Sequence, residues 1–224
     1  MKGRISEIFV SIQGEGLYIG RRQIFVRFYG CNLSCKFCDT WQSIFREYDA
    51  EELLAELSRY FNITQSVSFT GGEPLLQLDF LKKIMSLTSN RGFSNYLETN
   101  GTLPEALKQV IDLVDIVAMD FKLPSSTGMR SFWDEHRLFL EIASHKEVFI
   151  KIVVTESTSE EDIHRAINLI QNTAPSCCVV LQPDSSQIKK DLLSEKIEDF
   201  KKIFEKAYIA CCVIPQIHKL LGVP

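Results

Sequence analysis

Apolar positions in this chain fall into short runs, and these alternate with stretches of helical periodicity. Residues 5–12 and 22–29 read as strands parted by the glycine-rich turn Gly14-Glu15-Gly16. Residues 49–61 carry a helix pattern, with Leu53, Leu54 and Leu57 on one face. Asp49 is placed as its N-cap, and Glu52 completes a capping-box spacing. Ser66 to Thr70 is a short strand running into Gly71-Gly72-Glu73-Pro74, and a helix from about 77 to 89 stops before Gly92. Phe93 to Glu98 forms the next strand, ending in Thr99-Asn100-Gly101; Pro104 then suits the first turn of a helix. The strand 115–121 gives way to a loop over 122–128. Helices near 131–144, 159–172 and 190–206 then alternate with strands at 148–155, 178–181 and 207–214.

Six strands alternating with helices predict parallel βα units with right-handed crossovers. In such sheets the chemistry lies beyond the C-terminal strand ends. The distinctive segments fall there: a cysteine-rich loop after 22–29, Gly71 to Pro74 after 66–70, then Thr99-Asn100-Gly101, Lys122 and Gln182.

A length of 224 residues suits one domain, 1–224, able to bury a large core without disulfides. The net charge of -4 argues against a nucleic-acid binder, whose footprint would be basic. No apolar run reaches membrane-spanning length, and Met1-Lys2-Gly3-Arg4 does not open a secretory signal, so a cytoplasmic protein is expected. Seven clustered cysteines fit thiolate ligation in a reducing compartment better than a disulfide framework. Cys177-Cys178 and Cys211-Cys212 are expected to be packed as small hydrophobes, because neighbours on a strand point to opposite faces.

Cys31, Cys35 and Cys38 place three thiols within eight residues, with no fourth close by. A closed zinc site wants four protein ligands. A four-iron cluster also has four corners, so three thiolates leave one iron open. The competing reading is a zinc knuckle that borrows His136 or His145. Glycines in Gly71-Gly72-Glu73-Pro74 allow close backbone approach to a ligand, with a carboxylate suited to an ammonium group beside them; a plain βα turn is the alternative.

Cys-x-x-x-Cys-x-x-Cys followed by Gly-Gly-Glu-Pro resembles the radical S-adenosylmethionine superfamily. Ser11 to Gly16, Phe25-Val26-Arg27, Cys38-Asp39-Thr40, Thr70 to Pro74, Gln182-Pro183 and Pro215 to Lys219 resemble its 7-carboxy-7-deazaguanine synthase family, from residue 5 to the C-terminus. This chain has the short superfamily spacing between the first two cysteines, where some members carry an insertion. The resemblance implies an α/β fold, an incomplete parallel (βα)6-type barrel. It implies a [4Fe-4S] cluster on Cys31, Cys35 and Cys38, with S-adenosylmethionine on the open iron as source of a 5′-deoxyadenosyl radical. It also implies ring contraction of 6-carboxy-5,6,7,8-tetrahydropterin to 7-carboxy-7-deazaguanine with loss of ammonia, for queuosine-type 7-deazapurine biosynthesis.

Roles follow from the resemblance residue by residue. Gln13 and Glu15, with Ile12 and Gly14, would contact the pterin, whose paired N–H donors suit a carboxylate. Arg27 would grip the substrate carboxylate, and Thr70, His218 and the terminal carboxylate of Pro224 would touch substrate. Thr40 would help bind Mg²⁺. Phe37, Asp39, Gly72 and Glu73 would hold S-adenosylmethionine. So would the loop of Lys122, Leu123, Pro124 and Ser125 and the segment of Gln182, Pro183, Asp184 and Ser185. A flavodoxin or ferredoxin would supply electrons, and a homodimer is expected. The rivals are an activase that makes a glycyl radical on a partner protein, and a zinc-bound interaction module without catalysis.

Overall fold

In the computed structural model, described for residues 2–40, 43–188 and 191–222, one nine-stranded sheet organises the chain. Its strands are β1 (Lys2–Ile12), β2 (Arg22–Phe28), β3 (Arg46–Asp49), β4 (Ser66–Gly71) and β5 (Ser94–Thr99), then β6 (Ile116–Asp120), β7 (Glu147–Val154), β8 (Cys178–Pro183) and β9 (Cys211–Val213). The helices are α1 (Ala50–Ser58), α2 (Leu78–Arg91), α3 (Pro104–Val110), α4 (Pro124–Thr127), α5 (Trp133–Ala143), α6 (Glu160–Thr173), α7 (Asp191–Lys206) and α8 (Ile217–Leu221). The spatial order is β3-β1-β2-β4-β5-β6-β7-β8-β9. β1 pairs antiparallel with β2 and β3, whereas every pairing from β2 to β9 is parallel. Among the described residues β9 does not pair back to β3, so the barrel is open. The parallel run, β2 and β4 to β9, holds seven strands, one more than the six expected.

Local chemistry explains several boundaries. α2 ends where Gly92 takes φ 90 and returns its N–H to Thr88 and Ser89 carbonyls, a conformation that favours glycine. The Ser159 hydroxyl caps α6 by accepting the Asp162 N–H at 3.2 Å, and three acids follow in the first turn, where the helix dipole favours negative charge. Pro104 sits at the first turn of α3. Asn95 ties β5 to its neighbours, accepting from Thr88 Oγ1 at 2.7 Å and donating to the Met85 and Leu113 carbonyls.

Three expectations from the sequence are corrected. β3 is an additional edge strand: in Arg46-Glu47-Tyr48-Asp49 only Tyr48 is buried, too little to register as a strand pattern. The capping box on α1 does not form, because Asp49 makes no side-chain cap bond and Glu52 pairs with Arg46 instead. The last strand covers only Cys211–Val213, since α7 runs to Lys206 and Tyr208 takes φ 58 in the turn that follows.

The main core lies between the outer sheet face and the helices, with Leu53, Leu57, Phe69, Leu97, Ile150 and Phe204 fully buried. A second, smaller cluster lies on the other face of the sheet: Tyr96, Ala118, Phe149 and Val180, with Tyr18 packed over them. Cys211 packs on the main core and Cys212 on the inner cluster, as strand alternation requires, and Cys177 is buried in the main core. All seven cysteines are free. Among the described residues no helix is long and apolar enough to cross a membrane.

Candidate active site

A cavity of about 410 Å³ opens over the C-terminal ends of the parallel strands. That volume is in the range of small-molecule sites. β2, β4, β5, β6, β7 and β8 each contribute to its wall: Arg27, Thr70, Glu98, Asp120, Lys151 and Gln182. The register explains why they meet, since Arg27 pairs with Thr70, Asp120 with Lys151 and Val153 with Gln182.

Cys31, Cys35 and Cys38 line one side of it. The chain leaves β2 through Gly30 at φ 93, and the Leu33 N–H then points at Cys31 Sγ, 3.4 Å away. Asn100 reaches the same sulfur at 3.8 Å and holds Asn32 Oδ1 at 2.8 Å, so the end of β5 braces the loop. Lys36 N–H anchors it to the Thr127 carbonyl. Gly72 lies against its start: a Cβ there would sit 1.9 Å from the Gly30 carbonyl oxygen, so only glycine fits. Burial pushes the Cys31 and Cys35 thiols up, with Lys122 acting in the opposite sense. Soft, reduced, unpaired sulfurs on one wall match the donors an iron–sulfur cluster needs. Among the described residues no three potential ligands gather round one ion-sized point, and a cluster with metal at each corner asks for spread sulfurs.

Glu73 does not reach the cavity wall. It is fully buried and accepts from Thr99 Oγ1 at 3.0 Å, Asn100 N–H at 2.8 Å and Leu75 N–H at 3.1 Å. Burial pushes its carboxyl up to about 7, against the pull of those donors and of Lys122.

A row of alternating charges crosses the strand ends. Glu15 pairs with Lys151, Lys151 approaches Asp120 at 3.5 Å, and Asp120 bonds Lys122 at 2.8 Å. Burial alone would raise the Glu15 carboxyl, but the Lys151 charge and the hydrogen bonds of Gln216 and Lys151 outweigh it and hold it low. Asp120 is likewise held low against burial by Lys122 and Lys151. Burial pulls both lysines down, but Asp120, joined by Cys35 at Lys122 and by Glu15 and Glu98 at Lys151, more than restores them, so both stay charged. Asp120 Oδ1 and Gln182 Oε1 are buried without a hydrogen-bond partner among the described residues.

Gln13 is engaged on all sides: Nε2 donates to Glu98 Oε1 at 2.9 Å and Gln23 Oε1 at 3.0 Å, and Oε1 accepts the Glu15 N–H at 3.0 Å. Thr70 Oγ1 donates to Glu98 Oε2 at 3.0 Å. Arg27 Nε donates to Glu7 Oε2 at 2.8 Å, and the guanidinium stands 5.5 Å from the Phe9 ring centre. The C-terminal segment crosses the opening. Ile217 N–H bonds the Gly14 carbonyl at 2.9 Å, Gln216 donates to Glu15 Oε1 at 2.6 Å, and Lys219 pairs with Asp39.

Most of the sequence-predicted residues line this cavity: Ile12, Gln13, Gly14, Glu15, Arg27, Phe37, Asp39, Thr40, Thr70, Gly72, Lys122, Gln182 to Ser185 and His218. Leu123, Pro124 and Ser125 do not. Leu123 is buried, and Ser125 N–H bonds Asp162 at 2.9 Å. Pro224 lies outside the described residues. His136, offered as a fourth zinc ligand, is absent from the cavity wall; it stacks on Phe121 at 4.7 Å and burial pushes it down to about 4. His145 is exposed in the turn before β7. Asp120, Lys151, Glu98, Asn100, Gln216 and Lys219 complete the site without having been singled out as contacts from the sequence. A lysine between Ile150 and Ile152 in an apolar strand was the available signal for Lys151.

Residues 25–170 match the model of the radical SAM superfamily. The chain is 37% identical to a 7-carboxy-7-deazaguanine synthase of Geobacter sulfurreducens, covering 97% of this chain and 96% of that one. It is 35% identical to one from Archaeoglobus fulgidus over the whole of both chains. Among solved structures it is similar to QueE from Escherichia coli, with a TM-score of 0.67, 25% identity and coverage of 95% of this chain and 93% of that one.

Proposed function

The chain belongs to the radical S-adenosylmethionine superfamily and, within it, to the 7-carboxy-7-deazaguanine synthases, and on that premise we propose how its cavity divides between substrate and cofactor. The reaction is the radical ring contraction of 6-carboxy-5,6,7,8-tetrahydropterin to 7-carboxy-7-deazaguanine with loss of ammonia. A [4Fe-4S] cluster and S-adenosylmethionine, when bound, supply the one-electron, hydrogen-abstracting chemistry that begins it.

Cys31, Cys35 and Cys38 are assigned to the cluster. Gly72, Phe37, Lys122 and the segment Gln182 to Ser185 are assigned to S-adenosylmethionine: all line the cavity that the thiols line, Gly72 lies against the start of the cysteine loop, and Lys122 stands over the Phe37 ring within it. Glu73 acts indirectly by bracing Asn100, which in turn approaches Cys31. Glu15, Arg27, Thr70 and His218, which line the same cavity, are assigned to the pterin. Glu15 is held ionised by Lys151 and offers a carboxylate to the pterin N–H donors. Arg27 offers a fork to the substrate carboxylate, although it must share that charge with Glu7. Thr40, beside Asp39, is assigned to Mg²⁺, which takes oxygen ligands and would fix the substrate in place. A reducing protein such as a flavodoxin or ferredoxin, a homodimer and a cytoplasmic setting complete the reading, with residues 1–224 acting as one unit.

The observation that carries the assignment is that three free thiols and an ionised Glu15 line one cavity. The test is anaerobic incubation of the holoenzyme with reductant, S-adenosylmethionine, Mg²⁺ and the carboxytetrahydropterin. Appearance of the deazaguanine acid by mass, from a brown protein with about four irons, is the expected result. A colourless zinc protein, or a brown one that leaves the pterin unchanged, would overturn it.

A further inference from the structure

We infer that Lys151 is a specificity-determining residue that reads the carbonyl oxygen of the pterin while Glu15 reads its N–H donors. The inference deepens the proposed function and rests on this cavity being the pterin site with Glu15 facing the substrate.

Lys151 sits on β7 with both apolar neighbours buried: Ile150 and Ile152 point into the core. Strand alternation therefore turns Lys151 toward the cavity, whose wall it joins with Glu15. The side chain of Lys151 is 14% exposed and that of Glu15 is 18% exposed, so neither charge is screened by bulk water. An ammonium has three donors and no acceptor. One goes to Glu15 Oε2, and the other named partner, Asp120 Oδ2, is 3.5 Å away, at the limit of a hydrogen bond. A ligand acceptor placed beside Glu15 would be the better partner for that ammonium.

The edge of an aminopyrimidinone presents one acceptor and two donors in a row: the carbonyl oxygen, the ring N–H and the amino group. An ammonium next to a carboxylate presents the complementary row of donor and acceptors. A 2,4-diaminopteridine carries an amino group, a bare ring nitrogen and an amino group along that edge, so Glu15 loses one of its two N–H donors there and already favours the pterin. Lys151 adds a reason to refuse the diamino ring, which brings a donor where the carbonyl stood and leaves two donors facing each other. A site built to pair one polar group discriminates strongly against an analogue that cannot pair it.

The test is equilibrium dialysis of the holoenzyme, without reductant, against 6-carboxypterin and 2,4-diaminopteridine-6-carboxylate. The wild type is expected to prefer the pterin by about tenfold or more. Lys151→Met should weaken the pterin by about tenfold while changing the diamino compound by less than about threefold. Equal loss of both ligands, or no loss of either, would overturn the inference. Should Lys151→Met not fold, Lys151→Arg keeps a positive charge between Asp120 and Glu15 while displacing the donor, and it should narrow the preference in the same way. Glu15→Gln separates the two levels. If it leaves both affinities unchanged, the reading of Glu15 itself fails. If it weakens both while Lys151→Met weakens neither, only the role of Lys151 fails.

Discussion

The carboxylate of Glu73 accepts the backbone N–H of Asn100 at 2.8 Å, joining the turn after β4 to the end of β5 directly beneath the cysteine loop. The glutamate of the Gly-Gly-Glu-Pro turn is thus a brace. With its carboxyl pushed up to about 7, it binds a proton more tightly in the folded than in the unfolded chain, where the ordinary value is 4.5. Its contribution is therefore present below about pH 4.5 and is lost as pH rises through 7, an effect on the order of 3 kcal/mol. Melting curves at pH 5 and pH 8 should differ more for the wild type than for Glu73→Gln. Equal pH sensitivity in the two proteins would contradict this account.

Gly72→Ala tests the contact between the same turn and the cysteine loop. The added Cβ would meet backbone, the Gly30 carbonyl at 1.9 Å, and no side chain rotation can relieve it. A loss of about 1–3 kcal/mol in unfolding free energy is expected. Iron content after anaerobic reconstitution should fall as well, because the loop that carries Cys31 has to move. Full iron occupancy in a stable variant would show that the loop tolerates displacement.

Lys219 pairs with Asp39, the residue after Cys38, and donates to Ser185 Oγ at 2.8 Å. Both charged side chains are more than a third exposed, so the pair contributes under about 1 kcal/mol to stability. Its expected importance is kinetic, because it holds the C-terminal segment across the cavity. Lys219→Met should raise KM several-fold with little change in melting temperature. High salt should reproduce part of that effect in the wild type and none of it in the variant.

Magnesium dependence bears on Thr40, which lines the cavity with its hydroxyl 3.5 Å from Asp39 Oδ1. Removal of Mg²⁺ by chelation should lower turnover without bleaching the cluster. Thr40→Ala should shift the Mg²⁺ activation curve to about tenfold higher concentration. An unshifted curve would remove Thr40 from the metal site.

The alternation of strands and helices was legible because buried parallel strands are nearly continuous apolar runs, and their ends carried the glycines and polar tetrads. β3 was not legible, since four residues with one buried side chain leave no period to detect. The cavity-lining thiols, Arg27 and Thr70 were readable from local motifs. Asp120 and Lys151 were not, because each is a single charge inside an apolar strand and gains its meaning from a partner on the next strand. Leu123, Pro124 and Ser125 follow Lys122 in the chain yet do not line the cavity: Leu123 is buried, and Ser125 donates its N–H to Asp162 and accepts the Ser159 N–H on its hydroxyl.

The central claim is that one cavity brings the pterin and S-adenosylmethionine into contact. Turnover of a substrate carrying deuterium at carbon 6 tests it most directly. The account predicts deuterium in the 5′ methylene of recovered S-adenosylmethionine, because the hydrogen removed from the pterin passes to the adenosyl carbon and is exchanged there. Deazaguanine product formed with no deuterium in that position would contradict it.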